Sequence, residues 1–260
     1  MDIERQLVDQ RHQWLLEQLS AQRRLMTTDA AVELGVSVDT IRRDLRHLHE
    51  RGLIRRVHGG AVPIARLPNS FAERAAEPSQ ATAALAAEIV QHFKPGQVIG
   101  LDGGTTCVEI AAMIPSNLPV TIVTNNPAAA VALGDHPKAD VILLGGRVDL
   151  TWMTTTGAET VDEWRNYHLD IGVLGLCGLD AETGATTNSA MEVATKRALI
   201  RASTDVIVPI HHDKVAVCAP YVVAGLDELD MVVSARALPD ELTLALEGQR
   251  SQIIVLGGSL

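Results

Sequence analysis

The sequence predicts a two-part α/β protein: a small amino-terminal winged helix-turn-helix followed by a larger domain on a mostly parallel sheet. Three observations carry that prediction. Seven short apolar runs, from QVIGLDGG at 97–104 to SQIIVLGG at 251–258, alternate with helical stretches. Strands that are apolar throughout belong in a sheet covered on both faces. Charge is divided along the chain: residues 1–66 hold 11 arginines, no lysine and 9 Asp plus Glu, leaving 11 basic against 23 acidic residues in the rest. A head of net +2 thus precedes a body of net −12. Between them, residues 62–79 carry three prolines and little periodicity, which reads as a linker. The expected divisions are residues 1–62, a linker over 63–79, and the larger domain over 80–260.

In the head, residues 11–19 set Trp14, Leu15 and Leu19 on one inward stripe by their helical spacing. A second helix begins with Thr28 as its expected N-cap and runs through Ala31, Val32 and Leu34. Gly35 supplies a tight turn, Val36 packs into the angle, and Ser37 caps a third helix reading SVDTIRRDLRHLHE. There Ile41, Leu45 and Leu48 face inward, which leaves Asp39, Thr40, Arg42, Arg43 and Arg46 facing solvent. Helices so placed read base edges from their first turns. Arg42 or Arg43 suits a bidentate bond to guanine, and Thr40 a thymine methyl or a phosphate. Leu53 to His58 then forms a basic ribbon ending at Gly59 and Gly60. Its Arg55, Arg56 and His58 are expected at phosphates or the minor groove. Ser37, Asp39, Thr40, Arg42, Arg43, Arg46, Arg55, Arg56 and His58 are therefore the expected contacts to double-stranded DNA.

These residues resemble the amino-terminal domain of DeoR-type bacterial transcriptional regulators. The resemblance rests on Arg11, Leu15, Leu19 and Ser37, then Thr40-Ile41-Arg42-Arg43-Asp44-Leu45, with HGGA at His58 to Ala61 after the ribbon. A bundle with a merely solvated arginine face is the alternative, in which Arg46 pairs with Asp39 or Glu50.

Composition excludes several other classes. No apolar run reaches the roughly 18 residues of a membrane span, and the opening MDIERQLVDQ lacks a signal peptide's apolar core. A cytoplasmic protein is expected. Cys107, Cys177 and Cys218 are odd in number and far apart, which fits reduced thiols rather than a disulfide framework or zinc site. No metal and no cofactor are expected. Aromatic residues make up 3% of the chain, too few for a single-strand stacking platform.

In the larger domain, helices are expected over residues 82–92, 105–114, 127–133, 190–202 and 239–246. The sharpest motif is LDGGTTCVEIA, where a strand ends at Asp102, Gly103 and Gly104 permit close approach, and Thr105 and Thr106 open a helix. Free N–H groups and the helix's positive end favour an anion there. No lysine follows the glycines as in a Walker loop, and the GxGxxG spacing is missing. Other strand ends share the same sheet edge, where such folds bind ligands. They bring Thr124, Asn125 and Asn126, then Gly145, Gly146 and Arg147, then Gly175 and Gly178, with Lys214 beyond Ile210. Arg147, Lys196 and Lys214 are the expected cations for a phosphate. Glu192 and Lys196 also fit an ordinary i, i+4 surface pair worth a few tenths of a kcal/mol, roughly, and both readings stand on sequence alone.

This half resembles the sensor domain of the same regulators, which is similar to sugar-phosphate isomerases of the ribose-5-phosphate type. The resemblance implies a phosphorylated sugar or related metabolite at Asp102, Gly104, Thr105, Thr106, Asn125, Gly146, Glu192 and Lys196. Where many members carry a D-S-S-K-like stretch, this chain has His211, His212, Asp213 and Lys214. The expected function is a repressor, active as a homodimer or homotetramer and controlled by the metabolite. The alternative is an isomerase or deaminase with Asp102 or Glu192 as base, Lys214 as electrophilic partner and the head as an appendage.

Overall fold

The computed structural model describes residues 3–22, 24–63, 70–76, 79–249 and 251–257. The head comprises α1 (Ile3–Gln22), β1 (Leu25–Met26), α2 (Thr27–Leu34), α3 (Val38–Glu50), β2 (Ile54–Val57) and β3 (Gly60–Pro63). Its core is Leu15 and Leu19 of α1, Ala30 and Ala31 of α2, and Ile41, Leu45 and Leu48 of α3. Gly35 adopts φ 62°, the left-handed conformation its turn demands. Ser37 caps α3 by accepting from the Thr40 N–H at 3.1 Å. β2 and β3 form an antiparallel hairpin that β1 joins, completing the wing. One local expectation changes. The second helix starts at Thr27 behind Met26 with no side-chain cap, so Thr28 is not its N-cap; the Thr28 hydroxyl turns to Asp29 instead. Val32 points outward at 82% exposure, because Ala30 and Ala31 occupy the inner face of this short helix.

Asp44 lies on the buried side of α3 and receives α1. Arg11 donates to its carboxylate through Nε at 2.5 Å and Nη2 at 3.0 Å, and His12 Nε2 lies 3.1 Å away. This bidentate pair fixes the angle between the two helices where leucines alone would permit sliding.

In the larger domain, α4 (Phe71–Ala75) and α5 (Gln80–Val90) lead into β4 (Val98–Leu101), α6 (Thr105–Met113), β5 (Val120–Thr124), α7 (Pro127–Ala132) and β6 (Ala139–Leu143). Next come β7 (Arg147–Asp149), β8 (Thr154–Thr156), α8 (Ala158–Trp164), β9 (Leu169–Val173), β10 (Gly178–Asp180) and β11 (Gly184–Thr187). The chain closes with α9 (Ala190–Ala202), β12 (Ser203–Ile210), β13 (Tyr221–Ala224), β14 (Met231–Ser234), α10 (Asp240–Gly248) and β15 (Gln252–Val255). Seven strands form a parallel sheet in the order β15-β14-β12-β9-β4-β5-β6. Alternate residues feed opposite cores: Val206 and Val208 join Trp164, Leu199 and Leu246 on one face, while Ile207 joins Leu85, Ile89 and Ile110 on the other. The seven apolar runs are these seven strands.

The order turns back between β4 and β9, so the crevice beyond their carboxyl ends is the ligand position for this topology. Four features in the body lack a counterpart among the expected elements. They are α4 inside the linker, the β7–β8 hairpin, α8, and a small antiparallel sheet β10-β11-β13.

The Arg11–Asp44 pair makes a stability prediction. Asp44→Asn keeps the shape and removes the charge, leaving a half-buried guanidinium unpaired, at a cost of about 1–3 kcal/mol. Amide exchange should accelerate across Val38–Glu50 while the parallel sheet keeps its protection. Unchanged protection in α3 would show that the pair is not structural.

Candidate functional site

The outer face of α3 is a polar surface built by its own periodicity. Asp39, Arg42, Arg43 and Arg46 are exposed, and Thr40 is half-buried with its hydroxyl 2.9 Å from the Ser37 hydroxyl. Arg42 donates to Asp39 at 3.0 Å, so the surface pair on this helix is Arg42–Asp39. Arg43 and Arg46 extend from the same face. On the wing, Arg56 and His58 are exposed. Arg55 differs: its guanidinium donates to the Ala219 carbonyl of the body at 2.7 Å. Nearby, Arg24 lies 3.1 Å from both Glu182 and Glu241.

The second cluster sits at the turn-back of the sheet. Asp102 follows β4 and accepts from the Gly175 N–H beyond β9 at 3.0 Å. Lys196, reaching in from α9, donates to Asp102 at 2.6 Å and to the Gly175 carbonyl at 3.0 Å. Glu192, one turn earlier, lies 3.5 Å from Lys196 and accepts from the Thr187 hydroxyl at 2.8 Å. All three charged side chains are buried, which settles the open question about Glu192 and Lys196: they are not a surface pair. Burial opposes charge on Lys196, but Asp102 and Glu192 beside it hold its pKa above the ordinary value. Burial raises Glu192, and Lys196 partly offsets the rise.

Gly103 passes between Thr154 and Glu192 so closely that a Cβ there would collide with the Thr154 methyl group. The first turn of α6 has no side-chain cap. Thr106 shares a hydrogen bond with His211 Nε2 at 3.3 Å. Burial, with the Lys214 charge behind it, lowers the His211 pKa to about 4 and keeps the ring neutral. Burial also pushes the Cys107 thiol up to about 12, so it is inert. Asn125 Oδ1, Thr154 Oγ1 and Thr195 Oγ1 are among the buried polar atoms of the described residues that have no hydrogen-bond partner. Also among the described residues, no group of three or more His, Cys, Asp or Glu side chains is placed to hold a metal.

The structure thus gathers Asp102, Gly103, Glu192 and Lys196 into one site, with the Thr105–Thr106 turn beside it. Other expected residues stand at its margin in different roles. The Thr124 hydroxyl donates to the Leu101 carbonyl, joining β4 to β5. Asn125 holds the β7–β8 hairpin through the Thr155 carbonyl at 3.1 Å. Gly146 and Arg147 are exposed, and the Arg147 carbonyl accepts the Thr156 hydroxyl. Gly178 lies in the small sheet, where its carbonyl accepts from Thr186. Lys214 is half-buried, in a short 3-10 turn after β12. Sequence reading passed over Thr154, Thr187 and Gly175 as partners of the charged cluster; only Gly175 carried a signal, as a strand-end glycine.

A basic winged head on a doubly wound domain with a buried ionic site defines a DNA-binding regulator that carries its own sensor. The chain belongs to the DeoR family: the DeoR-like helix-turn-helix domain matches residues 11–66 and the DeoR C terminal sensor domain residues 78–236. It is 31% identical over 203 residues to the HTH-type transcriptional regulator GlpR of Haloferax volcanii, covering 77% of this chain and 79% of that protein. It is 29% identical to the glycerol-3-phosphate regulon repressor of Escherichia coli K12, covering 94% of this chain and 97% of that one. The transcriptional repressor GlcR of Bacillus subtilis is 29% identical, with coverage of 87% and 88%. Among solved structures, ribose 5-phosphate isomerase A of Methanocaldococcus jannaschii matches 52% of this chain and 53% of its own at TM-score 0.38 and 18% identity. The chain is a DNA-binding transcriptional regulator. Among the described residues, no helix is long and apolar enough to cross a membrane.

His211 supplies a pH test. Its folded pKa, about 4, lies below the ordinary 6.5. Between these values the unfolded chain binds a proton that the folded chain refuses, so stability is lost as pH falls through that window. His211→Gln should flatten the fall in denaturant midpoint between pH 6.5 and 4. Identical slopes in both proteins would place the loss elsewhere.

Proposed function

We propose that this regulator is a repressor of carbohydrate-metabolism genes, released from or recruited to its operator by a phosphorylated sugar or related metabolite. The observation that carries the reading is the buried Asp102–Lys196–Glu192 cluster beside an uncapped helix start, at the turn-back of the sheet. Backbone N–H groups at Gly104 to Thr106 and the two threonine hydroxyls bind the anionic end. Glu192 and Asp102 take hydroxyl groups, and Lys214 approaches from the β12 side. The named relatives support this, since one is a repressor of a glycerol-3-phosphate regulon.

In the same reading, Arg43 and Arg46 reach bases and phosphates from α3, with Ser37, Thr40, Arg56 and His58 as backbone contacts. The body, at net −12 beyond residue 66, repels DNA and confines contact to the head. Two heads in a cytoplasmic homodimer, or two such pairs in a tetramer, read paired half-sites.

A route between site and wing is available in hydrogen bonds. Glu192 holds Thr187 at the end of β11, and the neighbouring Thr186 hydroxyl accepts from the Ala219 N–H at 2.9 Å. The Ala219 carbonyl takes wing Arg55. A ligand that pulls on Glu192 therefore bears on the bond that orients the wing.

Operator selection from a random-sequence pool, followed by titration, tests the reading. Arg43→Ala should weaken specific binding about 10- to 100-fold with the fold intact; an unchanged sequence preference contradicts the role given to α3. Joint Thr105→Val and Thr106→Val should abolish the effector response while operator binding persists. Thr186→Val should shift the effector concentration needed for the response several-fold, and a wild-type response would exclude this route.

A further inference from the structure

We propose that Arg74, carried by α4 in the segment between head and body, is the cation that receives the effector's anionic group. This rests on the effector site proposed above and adds to it a ligand residue from outside the sheet. The segment has little periodicity, yet α4 is firmly built: Ser70 and Glu73 form a reciprocal capping box, and Phe71 is buried. α4 packs against α6, the helix whose first turn is the anion-binding loop. Arg74 Nη2 donates to the Thr151 carbonyl at 3.1 Å, and the guanidinium lies 5.1 Å from the Trp152 ring centre and 6.0 Å from that of Phe71. It is therefore a cation held in place, set on an aromatic surface.

The turn that holds it leads straight into the site. Met153, after Trp152, adopts φ 53°, a left-handed conformation unusual for a side-chain-bearing residue. Thr154 follows, with its methyl group against Gly103 and its buried hydroxyl unpartnered. Arg74 and Gly103 of the anion loop thus both lie against the segment Thr151 to Thr154. Charge balance asks for such a group. The buried cluster has two carboxylates and one ammonium, and Lys196 already donates to Asp102 and to the Gly175 carbonyl. A phosphate brought there adds negative charge and calls for a second cation. Arg147 is exposed on β7, and Lys214 is half-buried in the turn after β12 and approaches from that side. Arg74 stands within electrostatic reach of Glu192 and Cys177. A planar guanidinium also matches phosphate geometry better than an ammonium does. Because α4 joins the wing strand β3 to the body, an effector gripping Arg74 pulls on the connection to the head.

Full-length wild type, Arg74→Gln, Arg74→Lys and the Thr105→Val/Thr106→Val double variant are titrated by thermal shift. The probes are glycerol-3-phosphate, ribose-5-phosphate, glucose-6-phosphate, inorganic phosphate and the matching unphosphorylated compounds. For the phosphorylated probe that stabilises wild type, Arg74→Gln should lower affinity at least tenfold and Arg74→Lys less, with binding of its unphosphorylated counterpart unchanged. Equal weakening of both ligands would mark Arg74 as a clamp for α4 and overturn the assignment, as would wild-type affinity in Arg74→Gln. If Arg74→Gln does not fold, wild-type affinity and phosphate selectivity in Arg74→Lys overturn it, and selective weakening supports it. Loss in the threonine variant with retention in Arg74→Gln leaves the loop site standing and removes Arg74; the reverse keeps Arg74 and removes the loop. A wild type indifferent to every phosphorylated probe removes both.

Discussion

The contact on which this molecule depends is the one between Lys196 and Asp102. It joins the end of β4, the backbone beyond β9 and the middle of α9, three elements far apart in sequence, at 2.6 and 3.0 Å. These are the elements that meet where the strand order turns back. A buried ion pair is seldom a gain in stability over a well-packed apolar one, because both charges must leave water. Its presence here makes better sense as positioning: it fixes the strand ends and holds a charged group at a place where apolar side chains would recognise nothing. Glu192 completes the arrangement by tying the same ammonium to the small sheet through Thr187.

The division of charge follows the division of labour. The arginines that α3 presents to solvent lie opposite its leucines, so one helix both builds the head's core and offers its polar surface. Arg24 and Arg55 face the other way. They meet carboxylates and a carbonyl of the body, so the head is seated on the sensor by the same residue type that α3 presents to solvent. In the proposed switch, Arg55 serves either the body or a phosphate, and the choice depends on how the small sheet is held.

Much of this was legible in the sequence, for identifiable reasons. The turn at Gly35, the cap at Ser37 and the stripe of Ile41, Leu45 and Leu48 are local signals. The seven strands announce themselves because a strand buried on both faces has no polar positions to blur it. Asp44 was readable only as part of a family motif, since nothing local says that Arg11 will reach it. The helix Phe71–Ala75 did leave a trace, the S-x-x-E capping box at Ser70 and Glu73, obscured by flanking prolines and by shortness. The strands of the β7–β8 hairpin and of the small sheet β10-β11-β13 are only three or four residues long, and only their tertiary partners give them a reason to be strands. Glu192 and Lys196 show the limit most clearly, because their spacing is the same whether the helix face meets water or Asp102.

A metabolite moves the head only by binding its two arrangements with different affinity, however tightly it binds either. The seat seen here sets how large that difference must be. Glu182 and Glu241 are partly exposed partners of Arg24, and such rim ion pairs contribute about 0–1 kcal/mol each. The Arg55–Ala219 bond adds about 1.5–3 kcal/mol as a charged donor to a neutral acceptor. Against a seat of about 1.5–5 kcal/mol, a differential of matching size, roughly tenfold per 1.4 kcal/mol, is enough to change which arrangement dominates. One well-formed charge-assisted contact to a phosphate is of that order. The proposed switch therefore needs no wholesale rearrangement of the parallel sheet. In that reading the strand-end site makes one more strong contact in one arrangement than in the other, and the small sheet, held by Thr186 and Thr187, lies between that site and Arg55.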